Sequence, residues 1–589
     1  MTTAATWLIA ACTPEAVDPP GGDPGPWTPN VVVTDLAPAA GFQDYTSAGA
    51  FQRGRSCAIR DLNNDGRLDV MVGNPADLSY TLRNVGTPGN LAFTPAGPYV
   101  EGALIWGILP ADYDEDGDDD LFLSTGGIEG PGYDQFLRND NAAAGIFTDV
   151  AAEVGVLGGQ SPLSGEPMPA MSVGAQWVDF DADGDLDLHV ETGVYPSLWD
   201  DVPPDTAVAR NNLWRNDGGL FTDVADEAGL TIQGNGRFSS WLDYDQDGDL
   251  DLYQNHFATT PNILWSNRLV ETGAATFEDV TLAASLNAAT DLRYPLETFA
   301  TGTTDFNNDG WPDIILYVRG LPNIGPYGEG HVMLINVEGR GFVSVGDLAN
   351  VDIGPPVSAL RDHTDFGVMG NQLHDLNGDG LPDLVIGNGG PTAGNSDQLL
   401  LSRGLEAFEV EGAGLVNVPV YDDWSHLTDF PAAVSEAPAE AYPPYPYRTH
   451  AVCAGDLDRD GAVDVAVMNG GMFLIGGDSS REPNRLFRFE TDPPASHLRL
   501  RLRGNGVDLP TDATGSTATV HAIDGEGEPF DVVRTYWSRD GFGAHGGPEL
   551  FFGLRDAAGP VDVTVRWTDG RTTLHPGVEL GTTVELEAP

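Results

Sequence analysis

DFDADGDLD, residues 179–187, is one of seven copies of a single acidic pattern. The others are DLNNDGRLD (61–69), DYDEDGDDD (112–120), DYDQDGDLD (243–251), DFNNDGWPD (305–313), DLNGDGLPD (375–383) and DLDRDGAVD (456–464). In every copy carboxylate or amide oxygens fall at positions 1, 3 and 5, glycine at 6 and aspartate at 9. Alternating oxygen donors let a short chain curl around one Ca2+, which takes roughly six to eight hard oxygen ligands. The chain must turn sharply at position 6, so glycine at positive φ is expected there. Position 7 varies among Arg, Asp, Trp, Leu and Ala, as suits a residue offering only its backbone carbonyl.

The expected calcium ligands are Asp61, Asn63, Asp65, Arg67 and Asp69 in the first loop, and Asp112, Asp114, Asp116, Asp118 and Asp120 in the second. Asp179, Asp181, Asp183, Asp185 and Asp187 serve the third, and Asp243, Asp245, Asp247, Asp249 and Asp251 the fourth. The fifth uses Asp305, Asn307, Asp309, Trp311 and Asp313; the sixth uses Asp375, Asn377, Asp379, Leu381 and Asp383. Asp456, Asp458, Asp460, Ala462 and Asp464 complete the set, for about seven ions. An EF-hand would need Glu at position 12 followed by a helix; here that position is apolar or Gln254, inside a β-type run. Without metal each loop crowds like charges together, which is unfavourable.

The loop is the centre of a longer repeat. A short apolar strand precedes it, as in GAQWV before Asp179 and FSSWL before Asp243, and a second strand follows. A third element (NLWRN from Asn212) and a fourth (FTDVADEAGL from Phe221) complete a period of about sixty residues, the four strands of a propeller blade. The fold expected is all-β: a seven-bladed propeller over 31–494, then a smaller β-sandwich-like domain over 495–589. Blade 7 lacks an FTDV-like strand, and VTDLAPAAGF from Val33 matches that element. Residues 31–36 are therefore expected to close blade 7. Cys57 and Cys453 lie four and three residues before their loops. Side chains alternate faces along a strand, so two separate buried thiols are expected.

The formal charge of −61, from 89 acidic and 28 basic residues, argues against nucleic acid as a partner. All the basic residues are Arg, which removes lysine chemistry. Seven Ca2+ would bring the charge to −47. Residues 1–12 end in Ile-Ala-Ala-Cys12, similar to the lipobox of bacterial lipoproteins, and 13–30 form a Pro, Gly and Asp tether. The chain is accordingly expected to be exported: a bacterial cell-surface or outer-membrane lipoprotein anchored at Cys12, or a secreted protein without a spanning helix.

These repeats resemble the FG-GAP and VCBS repeats of integrin α-subunit propellers. The segment from ASHLRLRLRGNGVDLP to TVRWTDGRTTLHPGV resembles the ASPIC/UnbV domain, notably in Phe552-Gly-Leu and Val565-Arg-Trp-Thr-Asp-Gly. Together they resemble the cartilage acidic protein 1 family and its bacterial relatives. Arg555 stands where that family often has Gly, Thr568 where Pro is common, and PAEAYPPYPYRTH is inserted before blade 7. The resemblance implies secreted or surface-attached calcium-binding proteins used in adhesion or recognition.

Enzyme signals are weak. The GxGxxG at Gly541, Gly543 and Gly546 precedes a strand instead of opening a helix, so it reads as a glycine-rich turn. His189 and His256 are candidates to face a channel, with structural histidines the plainer reading. Trp177 and Trp241 share one register, read as packing between blades, with carbohydrate stacking as the rival. The expectation is a non-enzymatic surface binding, adhesion or scaffold module for an extracellular protein or glycan. The alternatives are a calcium-dependent polysaccharide lyase or dehydratase, which would need His, Arg and Tyr clustered in one mouth, and a structural surface-layer component.

Overall fold

The computed structural model describes residues 30–42, 55–74, 78–101, 105–126, 132–141, 145–157, 159–160, 167–168, 171–193, 211–230, 236–256, 260–287, 290–293, 298–318, 331–349, 368–388, 397–424, 449–469, 484–537 and 543–589. The leader, tether and proline-rich insertion up to residue 448 lie outside them.

Seven antiparallel sheets follow one another, each built on one acidic loop between its first and second strands. Blade 3 is typical: Ser172–Val178, Asp187–Thr192, Asn212–Asn216 and Phe221–Asp223 pair in chain order. The first strands of blades 1, 2, 3 and 7 are buried throughout, because neighbouring blades cover both faces. Trp177 and Trp241 are fully buried, Trp177 edge-on to Phe136 of blade 2 and Trp241 beside Phe277 and His189. They pack blades together and leave no platform for a sugar. His189 and His256 are buried as well and do not face an open channel.

Blade 7 takes its outer strand from the other end of the chain. Val31–Asp35 pairs antiparallel with Arg485–Thr491, Val33 opposite Phe489. Asparagine side chains continue the closure from blade to blade. The Nδ2 groups of Asn216, Asn267 and Asn336 donate to the carbonyls of Tyr113, Phe180 and Tyr244 in the preceding loops, at 3.3, 2.9 and 2.7 Å. Asn84 of blade 1 donates to Leu457 of blade 7 at 3.1 Å, so the same bond crosses the seam.

Cys57 and Cys453 form a disulfide, which corrects the expectation of two free thiols. The parity argument holds within one sheet, but these strands belong to adjacent blades. Each blade turns opposite faces to its two neighbours, so side chains meeting across a gap must differ by an odd number of positions. The offset of one is what the bridge requires.

Residues 497–587 form two further sheets. One contains Leu550–Gly553, His497–Arg503 and Thr583–Glu587; the other contains Pro529–Thr535, Thr517–Ile523, Val561–Arg566 and Thr572–Val578. Leu500, Val520, Phe552, Val563 and Trp567 fill the space between them as a separate core. This sandwich also sends a strand into the propeller. Ala544–His545 runs parallel to Ser56–Arg60 as a fifth strand on the inner edge of blade 1. A Cβ at Gly543, whose φ is +59°, would sit 2.5 Å from the Trp106 carbonyl, so the glycine-rich segment is there to let two backbones approach.

Candidate functional site

The seven loops share one hydrogen-bond scheme. The aspartate at position 1 accepts the N–H of the glycine at position 6, seen at 2.7 Å from Gly66 and 2.6 Å from Gly310. The aspartate at position 5 accepts the N–H of position 7 in all seven copies. Glycine at position 6 lies at φ between +86° and +105°, as expected. Position 4 is left-handed too, a feature the sequence pattern did not announce. Asn64, Glu115, Ala182, Gln246, Asn308 and Arg459 lie at φ between +53° and +59°, with Gly378 in the sixth loop. Non-glycine residues pay about 1 kcal/mol or more there, a strain the loop bonds offset.

The ninth aspartate ties the loop to the blade. Asp69, Asp120, Asp187, Asp251, Asp313, Asp383 and Asp464 are essentially buried. In the first six blades Oδ1 accepts a third-strand backbone N–H, from Asn84, Asn139, Asn216, Asn267, Asn336 and Ser402 in turn. Oδ2 accepts the N–H of position 2 in blades 3 and 4, and again in blades 5 to 7.

Among the described residues, positions 1, 3 and 9 converge in blades 2, 3 and 4. Asp112, Asp114 and Asp120 form one trio, Asp179, Asp181 and Asp187 a second, and Asp243, Asp245 and Asp251 a third, with one oxygen of each within 4.8 Å of the others. In the seventh loop the converging residues are Asp456, Asp458 and Asp460. Loops 1, 5 and 6 place Asn63, Asn307 and Asn377 at position 3, so three carboxylates and one amide stand at positions 1, 3, 5 and 9 there. A further group joins Asp247 and Asp249 to Glu271, which comes from the short helix Leu269–Thr272 and could not be paired with the loop from sequence.

Donor chemistry and geometry suit a hard cation in blades 2 to 4. Buried carboxylate oxygens without any hydrogen-bond donor include Asp112 Oδ1, Asp120 Oδ2, Asp181 Oδ1, Asp243 Oδ1 and Asp245 Oδ1. Such orphaned acceptors are costly unless a positive charge meets them. Burial pushes the Asp112 carboxyl up to about 7 and Asp120 to about 9, with neighbouring aspartates adding to the effect. Asp179, Asp187 and Asp251 are raised well above the usual carboxylate range for the same reasons. A divalent ion among these oxygens would reverse that balance.

The sandwich covers this loop face, and arginines do much of the docking. Arg566 reaches Asp243 at 2.6 Å and Arg499 is ion-paired to Asp456. Arg534 donates to the Gly380 carbonyl at 3.1 Å, and Arg555 Nε to the Asp379 carbonyl at 2.9 Å. From the propeller side, Arg60 donates to the Tyr536 hydroxyl at 3.0 Å and the Gly546 carbonyl at 2.9 Å. Asn308 accepts the Val533 N–H, and Gly184 lies against the Val507 backbone. A polar cavity of about 130 Å³ remains between loops 1 and 2 and the sandwich, lined by Asp61, Asp112, Asp119, Arg501, Arg503 and Asp512 among others.

An FG-GAP-like repeat model matches residues 61–123, and an ASPIC and UnbV model matches 506–589. The chain is 26% identical over 162 residues to Cartilage acidic protein 1 of Xenopus tropicalis. That stretch is 27% of this chain and 23% of the relative, so the match spans about a quarter of either. Among solved structures, Niastella koreensis GH74 enzyme aligns at a TM-score of 0.39 and 12% identity, covering 92% of this chain and 70% of that one. Rhamnogalacturonan lyase YesW aligns at 0.36 and 11%, covering 78% and 76%. An Agrocybe aegerita lectin that recognises non-reducing terminal N-acetylglucosamine aligns at 0.36 and 16%, covering 64% and 81%. FG-GAP-like repeats commonly bind Ca2+, and several acidic clusters of this chain could hold a metal ion.

Proposed function

We propose that the chain is an exported calcium-binding propeller that serves as a binding, adhesion or scaffold module for an extracellular protein or glycan, and is not an enzyme. The observation that carries this reading is the placement of the acidic loops. Their ninth aspartates are buried, those at position 1 are buried or half-buried, and arginines of the sandwich reach the loops. Ions held there would fasten the loops to their blades and strengthen the contact between propeller and sandwich. Ca2+ fits because the donors are all oxygens and flexible in number, where Zn2+ would draw on nitrogen and sulfur.

Export is supported by the disulfide, which joins residues 396 positions apart and is of a kind that persists mainly in oxidising compartments. Among the described residues no helix is long and apolar enough to cross a membrane. The lipid anchor at Cys12 belongs to the same reading. Against an enzyme stand the two histidines that sequence placed near a channel: both are buried, and burial lowers His256 to about 4, which keeps it neutral.

The test is a pull-down and glycan-array screen of the mature chain in Ca2+ and again in EGTA, run beside a polysaccharide-cleavage assay. Calcium-dependent capture without cleavage is expected. Turnover of a uronate polysaccharide would replace this reading with the lyase.

A further inference from the structure

We propose that the seventh loop takes no calcium and that two arginines occupy the place of the ion. This rests on the reading that the other loops hold calcium. Arg488 Nη2 lies 2.5 Å from Asp458, Nη1 3.0 Å from Asp460 and Nε 3.1 Å from Asp464. Arg499, from the sandwich, is ion-paired to Asp456, the remaining carboxylate. Four aspartates thus meet two guanidinium groups, whose combined charge equals that of one Ca2+. Arg488 and Arg499 are themselves buried, at 8% and 5% side-chain exposure, as are Asp456, Asp458 and Asp464. Asp456, Asp458 and Asp460 converge as closely as a metal trio does, but guanidinium donors already stand on those oxygens. One oxygen, Asp458 Oδ1, is left without a hydrogen bond. A calcium ion would have to expel a fixed, fully charged fork from a buried site.

The same molecule supplies the control. Arg138 in blade 2 and Arg215 in blade 3 occupy the register of Arg488, but they turn outward to Asp140 and Asp217, two residues on, and stay about a third exposed. In those blades the next residue, Asn139 or Asn216, gives its backbone N–H to the ninth aspartate. In blade 7 that residue is Phe489, which pairs with Val463 in an extended ladder, and Asp464 Oδ1 takes Arg488 Nε instead. The extended ladder turns the arginine inward.

The blade so fastened is the one that closes the ring. It receives the strand Val31–Asp35, and it is joined to blade 1 by the Cys57–Cys453 disulfide and the Asn84–Leu457 bond. The seam is therefore held without metal.

Calcium bound per chain, counted by elemental analysis after equilibrium dialysis, tests the assignment in the full-length protein. Asp181→Ala in loop 3 is expected to lower the count by one, and Asp458→Ala at the equivalent position to leave it unchanged. Arg488→Gln is expected to raise it by one. A fall of one ion in Asp458→Ala overturns the inference whether or not Arg488→Gln folds, and so does an unchanged count in a folded Arg488→Gln. A wild-type chain holding no calcium would instead remove the reading of the other loops, and this one with it.

Discussion

Blades 2 to 4 and the seam between blades 7 and 1 solve the same electrostatic problem in opposite ways. Both bury aspartates that cannot remain ionised alone. In blades 2 and 3 the arginines of the third strand face solvent and the carboxylate oxygens are left for an ion. At the seam the counter-charge is part of the chain, with a disulfide and a swapped strand beside it. The difference teaches that one loop sequence can be either a metal site or a permanent salt cluster. The nine residues of the loop do not decide which; the arginine of the third strand, with one from the sandwich, does.

The largest expected effect is that of chelation. At ten times its dissociation constant each bound ion adds about 1.4 kcal/mol by mass action, so six ions add roughly 8 kcal/mol, comparable with the stability of a whole domain. EGTA should lower the melting temperature strongly, and limited proteolysis should cut blades 2 to 4 before blade 7. Cleavage beginning at the seam would break the comparison. The stripped protein should also show an inverted pH dependence. Asp112 and Asp120 are raised to about 7 and about 9 from 3.8, so the folded chain holds protons that the unfolded chain releases. Stability without metal should be greatest at about pH 4 and fall as pH rises towards about 9. With calcium present the direction reverses on acidification, because protons compete for the same oxygens. Melting curves from pH 5 to 9, with and without EGTA, would show the crossing.

Next in size is the disulfide. Cys453→Ser should cost about 2–5 kcal/mol, the usual range when a native bridge closing a long loop is removed. The loss should be the same with calcium saturated or depleted if the seam works independently of metal. A loss that appears only in EGTA would mean that the ions also hold blades 7 and 1 together.

Much of this architecture is written in the chain because each blade repeats its own instructions. The turn at position 6, the strand pattern and the orphan strand at Val33 are local signals, and the structure pairs Val31–Asp35 with Arg485–Thr491. What could not be read involves partners far apart in sequence. Arg566 meets Asp243 across 323 positions, and Arg60 meets Tyr536 across 476. Glu271 joins Asp249 only because a four-residue helix folds back over the loop. The pairing of Cys57 with Cys453 is not legible from strand parity, because the rule for one sheet does not carry across two. The glycine-rich segment near Gly543 gave no sign of its place inside the ring, since a close backbone approach leaves only small residues as its trace.

The smallest expected effect separates two arginines of one register. Arg215 pairs with Asp217 at 3.0 Å, and both side chains are substantially exposed, at 37% and 51%. An exposed pair of this kind contributes roughly 0–1 kcal/mol and less in salt. Arg215→Ala should therefore leave the melting temperature in calcium almost unchanged and the calcium count unaltered, while the loop-3 ion gains slightly in affinity because a nearby positive charge is gone. Removing Arg488 instead leaves Asp458, Asp460 and Asp464 without their shared counter-charge, so its effect in EGTA should be several-fold larger. If the two substitutions behave alike in both conditions, position in the third strand does not decide the counter-charge, and the contrast between blade 3 and blade 7 is lost.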